Sequence, residues 1–194
     1  IALAGTGLGA LLAAPLAFLS TPKLLPRPAA LLFRVLIVAI RSVPFLIYGL
    51  IFIRVSGPGA FTGVLTLAVC SIGLLSKRFT EAIEALDFRA YDALRAMGVS
   101  LLPRIRYAVL PQLAPALASA VLYRFDVNIR EASVLGLVGA GGIGAPLIFA
   151  MNQYAWSDVS AIFLGFVLLV WGIDVGKIIT HPLNVPKRRS LQGF

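Results

Sequence analysis

Apolar residues are grouped along the chain in five long segments separated by shorter polar stretches. The segments are residues 1–20, 29–53, 60–76, 111–131 and 159–176. Each has roughly 17–25 residues, the length that an α-helix needs to cross a hydrocarbon core about 30 Å thick. Arg34, Arg41 and Pro44 interrupt the second segment. The pattern predicts an all-α integral membrane protein with about five transmembrane helices, organised as a single domain over residues 1–194.

Basic residues indicate how these segments cross the membrane, because cytoplasmic loops carry an excess of Lys and Arg. Three polar stretches hold twelve of the 17 basic residues: Lys23, Arg27, Lys77, Arg78, Arg89, Arg95, Arg104, Arg106, Lys177, Lys187, Arg188 and Arg189. An alternating path that places all three stretches in the cytoplasm predicts a cytoplasmic C-terminus. The glycine-rich residues 132–150 must then begin and end on the external side, as a re-entrant or surface segment.

The polar stretch at residues 78–107 contains the spacing of an amphipathic helix. Its apolar stripe is Ala82, Ile83, Leu86, Tyr91, Leu94, Met97 and Leu101. Gly98 and Pro103 are expected to break this helix. The stripe has no evident partner in the chain, so the pattern predicts either docking to another protein or contact with lipid headgroups.

Composition supports the membrane assignment, since 59% of the residues are hydrophobic, 13% are charged and the mean hydropathy is +0.94. A soluble domain has about 25% charged residues. These values exclude a disordered chain and argue against an ordinary water-soluble enzyme. The net charge of +9 occurs in nucleic-acid-binding proteins as well, but the apolar segments favour basic cytoplasmic loops. The chain starts at Ile1 within an apolar run, so we expect a further N-terminal segment in the full protein.

Two glycine motifs are similar to nucleotide-binding loops but lack the surroundings that such loops need. Gly139, Gly141 and Gly144 form G-x-G-x-x-G, which binds a dinucleotide within a βαβ unit. Residues 172–178 are one residue short of a phosphate-binding loop and have Ile178 at its Ser/Thr position. We therefore expect no ATP or dinucleotide site in this chain. The glycines instead favour close packing of a re-entrant segment.

Catalytic groups are scarce. His181, the single histidine, lies in the basic tail, and Cys70, the single cysteine, lies in an apolar run. A histidine-dependent triad or a multi-histidine metal site inside the membrane cannot be built from this set. The sequence predicts a protein that is not an enzyme and holds no metal or cofactor of its own.

Charges within the fourth apolar segment are candidates for a solute path, because a charge in the membrane must face protein or water. Asp126 and Arg130 are four residues apart on one helical face, where they can neutralise each other. Arg124, Asn128 and Glu131 share a neighbouring face. A cationic Arg124 that faces a central path would attract an anion that enters from outside, and this is our hypothesis for it.

The second apolar segment has a similar candidate at Arg41, which is followed by Ser42 and Pro44. Two interpretations stay open for this group. It either constrains a kink in the helix or supplies a cation to the path.

The cytoplasmic stretch also carries a family signature. Asp92-Ala93-Leu94, Gly98 and Leu110-Pro111 resemble the EAA signature of ATP-binding-cassette (ABC) importer permeases, with the same spacing throughout. The resemblance implies a coupling helix that sits in a groove of an ATPase subunit. It assigns this role to Asp92, Ala93, Leu94, Met97, Gly98, Leu110 and Pro111.

Three further stretches resemble the phosphonate/phosphite branch of these permeases. They are residues 41–44, 122–130 and 134–144, and the resemblance covers essentially the whole chain. The first and third also occur in methionine-type permeases, whereas Tyr-Arg-Phe-Asp-Val-Asn at residues 123–128 is similar to the phosphonate branch. By this resemblance the path and gate candidates are Arg41, Ser42, Pro44, Arg124, Asp126, Asn128, Arg130, Gly139, Gly141, Gly142 and Gly144.

The resemblance implies the type I importer permease fold and a homodimeric pore in a bacterial inner membrane. Two ATPase subunits that hold ATP and Mg²⁺ would bind inside, and a solute-binding protein would bind outside. Nucleic acid is not an expected partner. The expected solute is a phosphonate, phosphite or phosphate, and the alternatives are a permease for methionine or another small organic solute and a stand-alone channel or secondary carrier.

Overall fold

A computed structural model of the chain describes residues 1–22, 26–142 and 144–180, without the side chains of residues 177–180. Within these residues the regular elements are all helical, and this confirms the all-α prediction. The helices are α1 (Ala2–Leu19), α2 (Arg27–Ser42), α3 (Phe45–Ser56), α4 (Ala60–Glu84), α5 (Arg89–Ala96), α6 (Leu101–Arg104), α7 (Leu110–Leu137), α8 (Gly144–Asn152) and α9 (Trp156–Thr180), with a π-helical turn at Ile105–Val109 before α7.

Four helical stretches are long and apolar enough to cross a membrane. They are Ala2–Leu19, Ala60–Glu84, Leu101–Leu137 and Trp156–Gly176, and α2 with α3 makes a fifth as a bent pair. The helices at the third and fourth segments extend beyond the apolar residues 60–76 and 111–131 that we drew from the sequence. The polar residues at the ends of α4 and α7 continue the helical hydrogen bonding beyond the apolar residues. A boundary drawn from hydropathy therefore makes both helices too short.

The second apolar segment is two helices that meet at 83°, not one straight span. Val43 between them is extended, with φ −92° and ψ 124°. A residue before proline is disfavoured in the helical region, and Pro44 has no N–H to donate. Across the bend, the Tyr48 hydroxyl donates a hydrogen bond to the Ile40 carbonyl at 3.0 Å.

Helix α1 packs on α4 through a stripe of small residues that the sequence analysis did not identify. Gly5, Gly9, Ala13 and Ala17, each four residues apart, are all buried. A Cβ at Gly5 would lie 2.7 Å from the Leu67 Cβ, so the two backbones are in close approach. Small residues at this spacing are typical of tightly packed membrane helices.

We expect Gly9→Leu to destabilise the bundle, because any Cβ at Gly9 would collide with the Ser71 Cβ. Overpacking of this kind costs about 1–3 kcal/mol. The matched control is Gly7→Leu, since a Cβ at Gly7 meets no atom within 4 Å. Thermal unfolding in detergent should show a lower midpoint for Gly9→Leu alone. Equal midpoints would contradict this packing.

The bundle has two distinct ends. At one end, called the α5 end, the Ser20 hydroxyl contacts the Thr80 hydroxyl at 2.6 Å, and Arg34 of α2 pairs with Glu84 of α4. At the other end, called the glycine-loop end, the Gly59 amide donates to the Gly139 carbonyl at 3.0 Å. The loop after α1 and the polar stretch after α4 therefore lie at the same end, as the alternating path requires.

Several residues of the sequence predictions lie outside the described part of the chain. They are Lys23, His181, Lys187, Arg188 and Arg189. The side chain of Lys177 is also outside it.

Candidate functional site

Helix α5 is held on the α5 end of the bundle by Tyr91. This ring is buried in a cluster with Phe79 and Ile83 of α4 and Val109 before α7. The Arg104 guanidinium lies 5.2 Å from the centre of the same ring, a cation–π contact. The prediction that the apolar stripe has no partner in the chain is wrong for most of the stripe. The chain buries Ile83 and Tyr91 and packs Ala82, Leu86 and Leu94 against the same cluster.

The other side of α5 and its continuation are exposed. We call this surface the coupling face: Asp92, Ala93, Met97, Leu101 and Leu102. Met97 is 69% exposed and Leu102 is 78% exposed. Leu94 is half-buried between the two sides. A short helix fixed by one buried aromatic residue, with apolar side chains beyond it, offers a small rigid surface to a partner.

Gly98 ends α5 with a Schellman motif. Its φ is +75°, the Val99 amide donates to the Leu94 carbonyl at 3.1 Å, and the Gly98 amide donates to the Arg95 carbonyl at 3.0 Å. The left-handed conformation favours glycine because a Cβ is strained there. A Cβ at Gly98 would meet no atom within 4 Å, so backbone conformation alone selects glycine.

Leu110 and Pro111 follow a π-helical turn. The Leu110 amide donates to the Ile105 carbonyl, five residues back, and Pro111 has no amide hydrogen to continue the ladder. Both residues are exposed at the start of α7. Such π-turns are frequent at functional sites. Leu110 and Pro111 thus mark the point where the polar stretch after α4 joins the long helix α7.

Helix α7 carries a buried charge pair that faces α1 and α4. The Arg124 guanidinium, in a residue 3% exposed, donates to both Glu131 carboxylate oxygens at 2.8 and 3.3 Å. Its Nε donates to the Ser71 hydroxyl at 3.1 Å. Low dielectric strengthens this pairing, and the fork of the guanidinium matches the carboxylate. In this structure Arg124 is neutralised by protein groups.

Asn128 extends the same network to α1. Its Nδ2 donates to the Thr6 hydroxyl at 2.7 Å and the Ser71 hydroxyl at 2.8 Å. Asn128 is fully buried, and its Oδ1 has no hydrogen-bond partner among the described residues. Three helices are thereby connected at mid-depth by one polar cluster.

A second charge cluster lies on the side of α7 that faces α9. Arg130 pairs with Asp126 at 3.0 Å, as the spacing of four predicted. It also pairs with Asp174 of α9 at 3.2 Å, a partner that the sequence analysis missed. Asp174 is 44 residues away along the chain, so local spacing gave no signal for it.

Arg41 lies on a different surface from the α7 clusters. It is exposed at the end of α2, and it lines a cleft of about 290 Å³ between α2 and α4. Ser42 donates to the Ala39 carbonyl at 2.8 Å, and Pro44 begins the turn into α3. The chain is bent at these residues, which fits a kink constraint, and Arg41 lines an open cleft, which fits a cation in the path. Both interpretations of Arg41, Ser42 and Pro44 therefore stay open.

The glycine segment forms a tight turn at the glycine-loop end. Gly139, Gly141 and Gly142 have positive φ values of 93°, 77° and 86°. A Cβ at Gly141 would lie 2.9 Å from the Ala60 Cα, and Gly144 starts α8 in contact with Gly136 at the end of α7. Helix α8 has nine residues, about 13 Å, and is too short to cross a membrane.

Metal-binding geometry does not occur in the described part of the chain, where no three His, Cys, Asp or Glu side chains are grouped to hold an ion.

The fold is a bundle of membrane-length helices with an exposed apolar surface on a short helix at one end, and comparison with known proteins identifies its family. A sequence model of the family described as binding-protein-dependent transport system inner membrane component matches residues 5–187. The chain therefore belongs to this family of integral membrane permeases.

Individual relatives carry transport names. The chain is 38% identical over 175 residues to the phosphite transport system permease of Stutzerimonas stutzeri, covering 90% of this chain and 64% of that protein. It is 36% identical over 191 residues to the phosphate-import permease of Mycolicibacterium smegmatis, covering 98% of this chain and 36% of that protein. The chain thus spans less than two thirds of the length of these two relatives.

Solved structures share the fold. An inward-facing crystal form of the MetNI methionine ABC transporter has a TM-score of 0.78 at 20% identity, covering 92% of this chain and 88% of that one. An amino acid ABC transporter solved with histidines has a TM-score of 0.73 at 20% identity, covering 92% and 86%. The fold is therefore that of an ABC importer permease, as the sequence resemblance implied.

Proposed function

We propose that this chain is the transmembrane permease subunit of an ATP-driven importer for phosphonate, phosphite or phosphate. The observation that carries the proposal is the coupling face, an exposed apolar surface fixed by buried Tyr91 at one end of a membrane bundle. Family membership and relatives named for phosphite and phosphate transport support it.

The coupling face is the dock for an ATPase subunit. Asp92, Ala93, Met97 and Gly98 contact the ATPase, while Leu94 and the turn at Leu110 and Pro111 carry its movement into α7. ATP and Mg²⁺ are held by that partner, and this chain performs no hydrolysis. Two copies of the chain, two ATPase subunits and an external solute-binding protein form the complex.

The membrane orientation follows the basic residues. The α5 end faces the cytoplasm of a bacterial inner membrane, the glycine-loop end faces the external binding protein, and the C-terminus is cytoplasmic. The tight turn at Gly139, Gly141, Gly142 and Gly144 is then an external gate element. ATP-driven closure of the ATPases alternates access between the two ends.

The charged residues of α7 have a positioning role in this proposal. Arg124, Asp126, Asn128 and Arg130 hold α7 to α1, α4 and α9 by the contacts described above. Helix α7 also begins at the coupling segment. Movement of the ATPase is therefore transmitted to helices that border the path. Direct contact of the buried Arg124, Asp126 and Asn128 with solute requires their network to open.

A methionine permease is the second candidate. The chain is 26% identical over 150 residues to a probable D-methionine transport permease of Vibrio cholerae, and the methionine transporter shares the fold. The higher sequence identity to the phosphite and phosphate permeases favours a phosphorus oxyanion as the transported solute.

The test is uptake by the complete transporter in proteoliposomes, with its ATPase and solute-binding subunits. We expect ATP-dependent uptake of radiolabelled phosphite, phosphate or a phosphonate, and none of methionine. Uptake of methionine alone would establish the second candidate. Solute flux without ATP or an ATPase subunit would make the chain a channel or secondary carrier and would overturn the proposal.

A further inference from the structure

The cleft between α2 and α4 contains an arginine that no described residue neutralises. Its charged lining consists of Arg34, Arg41, Lys77, Glu81 and Glu84. Arg34 pairs with Glu84, and Lys77 pairs with Glu81 at 3.4 Å. Arg41 has no ion pair or side-chain hydrogen bond among the described residues, so the lining has one uncompensated positive charge.

Arg41 lies near the middle of the bundle. A Cβ at Gly73 of α4 would come within 2.9 Å of the Arg41 Cγ, which places the two residues side by side. Gly73 is about 20 Å along α4 from its start at 1.5 Å per residue. It is two residues from Ser71, which binds the buried Arg124. Arg41 and Arg124 therefore lie at a similar depth on different sides of α4.

The different environments of the two arginines indicate different roles. An arginine at mid-membrane costs about 2.5–3.5 kcal/mol on insertion scales unless protein or water surrounds it. Arg124 meets this requirement through Glu131 and Ser71. Exposed Arg41 does not meet it within the described part of this single chain, and water or an anion in the cleft would meet it.

The cleft reaches from Arg41 to the α5 end. Ser20 of α1 and Thr80 of α4 line it beside the Arg34–Glu84 pair. Ile37 and Val38 also line the cleft, so its polar groups are confined to the charged side chains and these two hydroxyls, and the cleft is otherwise largely apolar. At about 290 Å³ it has room for several water molecules or a hydrated small anion. The single uncompensated charge at its inner end favours an anion there.

We propose that this cleft is a water-accessible binding site for a tetrahedral phosphorus oxyanion, with the Arg41 guanidinium as its direct ligand. A guanidinium presents two parallel N–H donors to such a group. The proposal rests on the proposed function, because a transported oxyanion would leave by this route. A phospholipid headgroup has the same chemistry and is the other source of the bound group.

Water access is tested by thiol labelling of the complete transporter in proteoliposomes. Val38 lines the cleft, whereas Leu36 lies two residues, or about 200°, around α2, and both are exposed. The single native cysteine, Cys70, is buried and gives a low background. A charged thiol reagent added from the cytoplasmic side should label Val38→Cys at least about tenfold faster than Leu36→Cys, because thiolate formation needs water.

The occupant is tested by protection. In vesicles of neutral lipid, inorganic phosphate should slow labelling of Val38→Cys, and Arg41→Gln in the same chain should weaken that protection at least about tenfold. Protection by phosphatidylglycerol vesicles without added phosphate, again lost in Arg41→Gln, would identify the lipid headgroup as the source. Arg41→Lys should retain part of the protection.

Equal labelling of the two cysteines would overturn the inference, and so would protection that persists in Arg41→Gln or is absent in both lipids. Uptake is measured in the same vesicles carrying the chain without substitutions. Uptake without protection of Val38→Cys would overturn the binding site in the cleft and leave the proposed function standing. Absence of uptake would overturn the proposed function.

Discussion

Replacing Glu131 with glutamine should lower the free energy of unfolding by about 3–5 kcal/mol, because it leaves the Arg124 charge buried without a counter-ion. The Arg124 side chain is 4% exposed and that of Glu131 is 18% exposed, so solvent cannot replace the lost carboxylate. Glutamine keeps the size of the side chain, which confines the change to its charge. Denaturant-induced unfolding in detergent micelles measures the effect.

Two matched variants separate the effect of an unpaired buried Arg124 from the general effect of replacing a glutamate. Glu81→Gln removes a carboxylate from an ion pair that is half exposed on both sides, so we expect a loss of no more than about 1 kcal/mol. The double variant Arg124→Met with Glu131→Leu removes both charges and should recover most of the stability lost in Glu131→Gln. A Glu131→Gln variant as stable as Glu81→Gln would show that Arg124 is not held as described.

Replacing Gly98 with valine should separate ATP hydrolysis from transport. A non-glycine residue in the left-handed region costs about 1–2 kcal/mol, and a β-branched residue is especially disfavoured. That cost corresponds to a factor of about 5–30 in the population of the native turn. We expect solute transported per ATP hydrolysed to fall by a similar factor in proteoliposomes, while hydrolysis continues.

Asparagine is the control at this position, because it adopts the left-handed conformation more readily than other residues with a side chain. No atom lies within 4 Å of a Cβ at Gly98, so Gly98→Asn and Gly98→Val differ mainly in backbone strain. Gly98→Asn should therefore retain most of the coupling. Equal loss in both variants would show that the ATPase surface, not the turn, excludes a side chain.

The sequence predicted the elements whose signal is local. Apolar segment length predicted the membrane helices, and a spacing of four predicted the Asp126–Arg130 pair. The shared face of Arg124, Asn128 and Glu131 is also a local property of a helix, and the structure brings all three into one cluster.

Features that depend on distant parts of the chain were not predictable in the same way. The partner of Arg130 on α9 is remote in sequence, and so are the helices that bury Tyr91. An amphipathic stripe does not say whether its partner is the same chain or another one, and this ambiguity explains the wrong expectation for Ile83 and Tyr91. The path roles of the charged residues stay predictions.

The tight contact between α1 and α4 had a signal in the sequence that went unrecognised. Gly5, Gly9, Ala13 and Ala17 have the spacing of a tight helix contact, which a search for small residues four apart would have found. Pro44 was recognised as an interruption of residues 29–53 and as the place of a kink, and its disfavouring of a helical Val43 marks the bend that the structure shows there.

Site-specific cross-linking of the coupling face to the ATPase tests the account most directly. Met97→Cys presents a thiol on the coupling face, and Gln153→Cys presents one in the exposed turn between α8 and α9. In the purified complex we expect Met97→Cys to cross-link to the ATPase subunit and Gln153→Cys to give no such product. A complex that lacks an ATPase, or an ATPase that cross-links at Gln153→Cys and not at Met97→Cys, would contradict the assignment of this chain as a permease driven through α5.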